Sequence, residues 1–319
     1  MNNIFKYIGY LCLFIFSFIF FLYWTFPFSV LKDRIITAAE QQLGGQYSVK
    51  IGDLSSSLIT GVALKDVKIT KREQDKTENV WGAAKVKIRT SLTSILFGKT
   101  NVKFAVKNQK SEMSGSFKTA EEGFSLASSL SNFNIGDIGM FSSDDGVKLV
   151  SEIDGSLKLN INKRQMIQSS GSADFSLSNI KLKAGELKIG EGINFTVPEL
   201  IFSKGSGSSL KVDLSKGAIH IIELKLADGD LKLDLSGDIF MSQVVKNYRM
   251  NLKGTFSVTP KLEQAIPLLF MVEKQKLEQA IPLLFMVEKQ RQPDGTYPIT
   301  ITGRIEQPSI KIGEFTLPL

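Results

Sequence analysis

From Tyr47 almost to its C-terminus the chain alternates apolar and polar residues with a period of two, and this alternation limits the fold more than any other feature. It is plain in Tyr47-Ser48-Val49-Lys50-Ile51 and in Val62-Ala63-Leu64-Lys65-Asp66-Val67-Lys68-Ile69. Further alternating runs occupy 84–90, 101–107, 113–118, 147–161, 171–183, 193–202, 208–214, 219–226, 229–239, 248–258 and 297–312. Successive side chains of a strand point to opposite faces, so each run reads as a strand with one apolar and one polar face. Connections rich in Ser, Gly, Asn and Asp separate the runs, which argues for an antiparallel sheet rather than alternating βαβ units. Two stretches depart from the pattern: Ser91 to Phe97 reads as a brief helical turn stopped by Gly98, and 122–141 as loop with helical turns.

The N-terminal region follows another rule. From Tyr7 to Val30 there are 24 residues without a charge, rich in Phe, Ile and Leu. As a helix rising ~1.5 Å per residue they cover about 36 Å, more than a hydrocarbon core of about 30 Å. Tyr23 and Trp24 suit an interfacial aromatic belt and Pro27 a helix end. The stretch is long for a signal peptide and lacks a small-x-small cleavage site after it, so it reads as an uncleaved anchor. Leu31, Ile35, Ile36, Ala39 and Leu43 then recur at helical spacing before Gly44-Gly45, the signature of a short juxtamembrane helix over 31–45. The expected organisation is therefore a stub of residues 1–6, a transmembrane anchor over 7–30, that helix, and a β-rich body over 46–319. Lys6 and the terminal amine before the span nearly balance Lys32 and Arg34, offset by Asp33, after it, so charge alone scarcely sets the orientation.

The formal net charge is +7, from 39 Lys and Arg against 32 Asp and Glu. The lysines are spaced along strands, as in Lys85-Val86-Lys87-Ile88-Arg89, and no basic stripe with stacking aromatics appears, so a nucleic-acid partner is not expected. Attraction to anionic lipid headgroups suits a body held beside a bilayer. The single cysteine, Cys12, lies in the apolar segment, so no intramolecular disulfide forms.

Nor does the sequence assemble a reactive centre. The single histidine, His220, alternates with apolar neighbours on a strand, where it reads as an exposed-face residue. Asp228-Gly229-Asp230 lacks the remaining calcium-loop spacing and reads, like Asp294-Gly295, as a turn. Gly205-Ser206-Gly207-Ser208 has no following Lys-Ser/Thr, and no nucleophile elbow is present. No catalytic, cofactor-binding or metal-binding residue is assigned, and the chain does not read as an enzyme.

One feature is foreign to the strand pattern. Residues 261–275, KLEQAIPLLFMVEKQ, are repeated without change at 276–290. Identity over fifteen tandem residues marks an in-frame duplication. Pro267 and Pro282 predict helical pieces that break near each proline. The segment reads as a tolerated surface insertion, with an amphipathic element on the membrane or at one end of the sheet as the other reading.

A polar-Gly-x-apolar pattern recurs within the strands around Gly115, Gly155, Gly171, Gly237, Gly254 and Gly303. Glycine inside a strand marks a bulge, a bend or a close approach, so the sheet is expected to curl repeatedly. Ile51-Gly52-Asp53-Leu54, Gly61 and Leu64 to Ile69 resemble the opening hairpins of AsmA-like envelope proteins. Ile299 to Ile312, with Gly303 and Pro308, resembles their terminal strand-Gly-strand-Pro-strand. With the Asp294-Gly295-Thr296-Tyr297 lead-in and one N-terminal span, the chain most resembles the type II secretion system protein N family. The resemblance implies a Gram-negative inner-membrane protein with a cytoplasmic N-terminus and a periplasmic body. Its fold would be a long, strongly curved antiparallel sheet, an open groove or half-barrel with a few short helices. Its implied role is a non-enzymatic accessory or scaffold subunit of type II secretion, with other secretion subunits and inner-membrane lipids as partners. The alternative is a lipid-binding or lipid-transfer groove that takes acyl chains.

Overall fold

The computed structural model describes residues 28–43, 46–57, 61–73, 76–91, 100–137, 148–189, 193–205, 207–242, 244–263 and 286–317, with Tyr10, Leu13, Phe14, Ser17, Phe21 and Ser94 besides. The body is mainly antiparallel β. A helix, α1 (Phe28–Leu43), leads into β1 (Tyr47–Ser56), β2 (Gly61–Glu73), β3 (Lys76–Thr90), β4 (Asn101–Asn108), β5 (Ser111–Ala120), β6 (Gly123–Phe133), β7 (Leu149–Asn162) and β8 (Ser170–Leu182). The excursion after β8 holds β9 (Gly185–Ile189), β10 (Ile193–Val197) and β11 (Leu200–Ile201). The main path resumes with β12 (Ser208–Ser215), β13 (Ala218–Leu226), β14 (Leu231–Phe240), β15 (Arg249–Val258), β16 (Tyr297–Arg304), β17 (Gln307–Ile312) and β18 (Phe315–Thr316).

Each strand pairs with its sequence neighbour, β12 taking the place beside β8, and one open sheet of 16 strands runs from β1 to β18. β11 adds to β8, while β9 and β10 form a separate hairpin. Fifteen strands at ~4.8 Å spacing make a ribbon roughly 65–70 Å long. The turns divide into two rims. The first carries the β1–β2, β3–β4, β5–β6, β7–β8, β12–β13, β14–β15 and β16–β17 connections; the second carries the others.

Two buried clusters exist among the described residues, one at the β1 end of the ribbon and one beside β8, β14 and β15. Leu31, Ile35, Ile36 and Ala39 of α1 pack on Val49, Ile51, Leu54, Leu64, Val67, Ala83 and Val86 of β1–β3. These residues share one cluster because the alternation skips a step where Gly52 faces Asp66, whose φ is +51°. α1 also closes the open edge of β1: Glu40 Oε1 accepts from the Val49 N–H at 2.8 Å and the Ser48 hydroxyl at 3.1 Å, and Lys32 Nζ donates to the Gly52 carbonyl at 2.9 Å. The smaller cluster sets Leu200 and Leu262 against Leu182, Phe202, Leu231 and Val258.

The helix expected over 31–45 is α1. Sixteen of the 24 residues of the expected span over 7–30 lie outside the described residues, and no described helix is long and apolar enough to cross a membrane. Most of the helical turn at 91–97, and both Pro-broken segments of the duplication, also lie outside them. The reading of 122–141 as loop is corrected: 123–133 is β6, paired with β5 and β7 along its length. Its period was hard to read because Ser128 stands on its apolar face and Asn132, with φ +48°, inserts a bulge before Phe133. The single run at 193–202 is two strands that join different sheets.

Candidate ligand face

Register turns the alternation of the separate strands into rows across the ribbon. One row runs Leu54, Leu64, Val86, Val106, Met113, Leu130, Gly155, Phe175, Leu210, Leu224, Leu235, Gly254, Ile299 and Ile312, one residue from each of fourteen strands. Every member is apolar or glycine. A second row, toward the first rim, runs Val62, Ile88, Phe104, Gly115, Ser128, Leu157, Ala173, Val212, Ile221, Gly237, Leu252, Ile301 and Ile310. Its one polar side chain, Ser128, donates its hydroxyl to the Ser114 carbonyl at 3.2 Å. A third row includes Val102, Phe117, Leu126, Leu159, Leu214, Ile219, Ile239 and Met250. Residues two apart on a strand are ~6.6 Å apart, so the three rows make an apolar band about 13 Å wide between its outer rows.

All six of the in-strand glycines lie on this band. A Cβ at Gly115 would stand 2.7 Å from the Phe104 ring and would strike the Ala127 carbonyl. One at Gly155 would strike the Asp174 carbonyl and meet the Phe175 ring at 2.9 Å, and its φ of +150° is one that a side chain rarely permits. Gly171 and Gly254 are closed in the same way by the main chain of the next strand and by Leu159 and Leu235. The glycines therefore seat large neighbours flat on the band and let adjacent main chains approach.

Over β4–β7 the band has no described cover, whereas Leu214, Leu235, Leu252 and Ile312 farther along it are buried. Among the described residues between Val86 on β3 and Leu177 on β8 no apolar side chain is buried, although β4–β7 carry Val106, Phe104, Phe117, Leu126, Leu130, Leu157 and Leu159 on it. All of these are half-exposed. Phe117 and Phe124 lie with ring centroids 5.6 Å apart, and Lys163 Nζ stands 5.9 Å over the Phe124 ring at the first rim.

Apart from Ala105 and Ala127 the opposite face is polar along β4–β8 and β12, with cross-strand pairs such as Lys211 and Glu223 at 3.5 Å. His220 is there, as its alternation predicts, and its Nδ1 lies 2.6 Å from Asp238 Oδ1 across β13 and β14. Asp238 is a partner that sequence distance concealed. Asp228 and Asp230 do more than turn the chain. Asp228 accepts from the Lys204 N–H at 3.0 Å, the Ser203 hydroxyl at 3.3 Å and the Gly205 N–H at 2.9 Å, which hold its carboxyl below the ordinary carboxylate range despite partial burial. Burial pushes Asp230 upward, but the Ile201 N–H, the Thr259 hydroxyl and the Lys261 ammonium outweigh it and hold it low. The two carboxylates fasten the β11 excursion to the second rim.

The ends of the duplication are fastened nearby. Leu262 opens the first copy and is buried; Glu288 and Gln290 close the second. Glu288 accepts a hydrogen bond from the Tyr297 hydroxyl, which burial and this carboxylate push up to about 12. Gln290 Oε1 accepts from the Glu314 N–H at 3.1 Å. The fully buried serines are likewise structural: Ser151, Ser169 and Ser208 accept from the N–H groups of Ile135, Asn162 and Ala227, and Ser203 donates to the Leu177 carbonyl. Among the described residues no three His, Cys, Asp or Glu side chains are grouped to hold a metal. What the arrangement offers chemically is an uncharged apolar face, half-exposed across the four strands β4–β7. No family model, curated protein or solved structure matches the chain.

Proposed function

We propose that the sheet curls about its apolar band into a trough that holds lipid acyl chains, in a protein tethered to the inner membrane of a bacterial envelope by residues 7–30. The observation that carries this reading is the half-exposed band across β4–β7. Monomers seldom leave an apolar surface of several hundred Å² without a use for it. A band lacking charge takes a hydrocarbon chain at no desolvation cost to the protein, and its length lets an extended chain lie along the ribbon. The glycine positions support the curl, because they let neighbouring main chains close up on the apolar side.

The test is native mass spectrometry of the full chain released from mild detergent. Adducts of phospholipid mass are expected, and they should disappear in Leu157→Asp and Leu126→Asp. A wild-type protein free of lipid, together with an experimental structure in which a second layer covers β4–β7, would sink the reading.

A role as an accessory or scaffold subunit of type II secretion rests on the resemblance over 51–69 and 299–312. Those residues form β1–β2 and β16–β17 at the two flanks of the ribbon, where a scaffold meets its partners. Affinity purification from membranes is expected to recover other secretion subunits, and intact secretion in a deletion strain would count against it. The two roles are compatible.

A further inference from the structure

The turns of the first rim between β7 and β17 carry a second apolar surface, apart from the band. Beyond α1, seven large hydrophobic side chains are exposed among the described residues: Ile167, Ile222, Phe240, Val244, Val245, Met286 and Ile305. Five of the seven, all but Ile222 and Met286, belong to this one rim. Ile167 is 67% exposed, Val245 61%, Val244 53% and Ile305 40%.

These side chains are held outward by structure. Ile167 tops a 3-10 turn (Met166–Gln168) whose start is fixed by Asn162 Oδ1, which accepts from the Arg164 and Gln165 N–H groups at 2.9 Å each. Val245 begins a second 3-10 turn, Val245–Asn247. The turns brace one another: Gly217 lies against Ile167, the Met241 N–H donates to the Gly217 carbonyl at 2.9 Å, and the Ile305 N–H to the Tyr248 carbonyl at 2.9 Å.

Cations stand between the apolar tips. Lys163, Arg164, Lys216, Lys246, Arg249 and Arg304 are exposed here, against Glu306 and, on the adjoining β5–β6 turn, Glu121 and Glu122; six less three leaves an excess of three positive charges. Arg249 and Arg304 are direct cross-strand partners, and neither has an acidic partner among the described residues. Like charges so placed repel unless an anion lies between them. The described tight turns of the second rim, Gln109-Lys110, Asp228-Gly229, Asp294-Gly295 and Gly313-Glu314, carry no exposed large hydrophobic side chain. α1 runs from Lys32 beside Gly52 to Glu40 beside Val49, toward the second rim, so its N-terminal end lies on the first-rim side.

Apolar tips among cations fit the boundary between headgroups and acyl chains, where the tips enter the hydrocarbon and the cations meet lipid phosphates. We infer that the first rim from β7 to β17 docks on an anionic phospholipid bilayer, Ile167, Val244, Val245 and Ile305 entering the acyl region and the Arg249–Arg304 pair taking a lipid phosphate. This docking does not depend on the trough.

The test uses the full chain with Cys12→Ser, reconstituted in vesicles of phosphatidylcholine and phosphatidylglycerol with brominated acyl chains. An environment-sensitive fluorophore is placed singly at Ile167→Cys, Val245→Cys and Ile305→Cys, at Lys110→Cys and Glu314→Cys on the second rim, and at Leu157→Cys on the band. The first three are expected to shift to the blue and to be quenched several-fold more than the second-rim pair. That difference should shrink when phosphatidylglycerol is omitted and when Lys246→Glu and Arg304→Glu are combined. Rim labels that stay in water, or equal quenching at both rims, overturn the inference. Quenching at the rim without quenching at 157 leaves the docking standing and counts against the trough, and the reverse counts against the docking alone. In native membranes, rim photo-crosslinks that capture protein instead of lipid also overturn it.

Discussion

Strands β1–β3 and strands β4–β7 carry the same alternating pattern but meet different surroundings. In the first group the apolar residues are closed under α1, and Val49, Ile51, Leu54, Leu64, Val67, Ala83 and Val86 are all buried. In the second, the row that contains Leu64 and Val86 continues through Val106, Met113 and Leu130 with no buried apolar member. A residue type in a row does not by itself set its contribution to stability; the layer over it does. The covered strands work as a conventional core, while the bare strands keep their pairing through main-chain hydrogen bonds and hold their apolar side chains available. The difference separates an end of the ribbon closed under α1 from strands whose apolar side has no described cover.

The sharpest way to break this comparison is to place the same change in both regions. Val67→Asp puts a charge beneath α1 with no partner and should cost about 3–5 kcal/mol, enough to leave much of the chain unfolded. Leu157→Asp on the open band should cost about 1 kcal/mol, because water still reaches the site, while removing bound lipid. Leu64→Ala against Leu157→Ala gives the milder form: about 2–5 kcal/mol for the closed site and less than about 1 for the open one. Denaturant titration of the four variants measures all of this, and equal losses in both regions would show that a cover lies over β4–β7.

Glu40→Ala tests the cover itself. It leaves the Val49 N–H without its acceptor at the open edge of β1. The expected loss is about 1–3 kcal/mol, with a rise in self-association by light scattering, because an unprotected edge strand pairs with other chains. Glu40→Gln keeps an acceptor and should restore most of the loss.

Much of this arrangement was legible in the sequence, and the misreadings have physical causes. Alternation placed most strands because a sheet with one polar face enforces it residue by residue. It failed at β6, where Ser128 sits on the apolar face, and it lost phase at Asn132, as it does at Asp66 and Asn179, which also hold positive φ. Short Asn and Asp side chains tolerate that conformation, and each shifts the following residues to the other face. The in-strand glycines were readable as bends but not as seats for Phe104 and Phe175, since that depends on register between strands. Register also hid the pairing of His220 with Asp238. Nor could the alternation show that β4–β7 lack a described cover, because cover is a property of the whole fold. The exposed tips Ile167, Val244 and Val245 did leave a signal: apolar residues beside Lys and Arg in segments too short to be strands.

Acidification separates the β11 excursion from the α1-covered strands. Asp228 and Asp230 have folded-state values below the ordinary 3.8, held there chiefly by the Lys204 and Ile201 N–H groups. Groups depressed on folding contribute stability that is fully present above their unfolded value and is lost as pH falls through the folded one. The β11 excursion should therefore loosen below about pH 4, detected as faster amide hydrogen exchange at 200–205 while 49–54 stays protected. Asp228→Asn, at neutral pH, should cost about 1–2 kcal/mol and remove most of this acid dependence. Simultaneous loss of protection in both segments would mean that the ribbon unfolds as one unit.

The duplication gives the smallest expected effect. Deleting 261–275 and deleting 276–290 produce the same protein, since the copies are identical. The described attachments use the start of the first copy, Lys261 and Leu262, and the end of the second, Glu288 and Gln290. A single copy contains all four residue types at the required positions, leaving the second copy's length as extra chain between fixed points. Loop-closure entropy changes only slowly with length, so the shortened protein should lose less than about 1 kcal/mol, a Tm shift of no more than about 2–4 °C. A larger loss would place the duplicated residues among those that cover the band, and would move the boundary between the closed and open regions of the sheet.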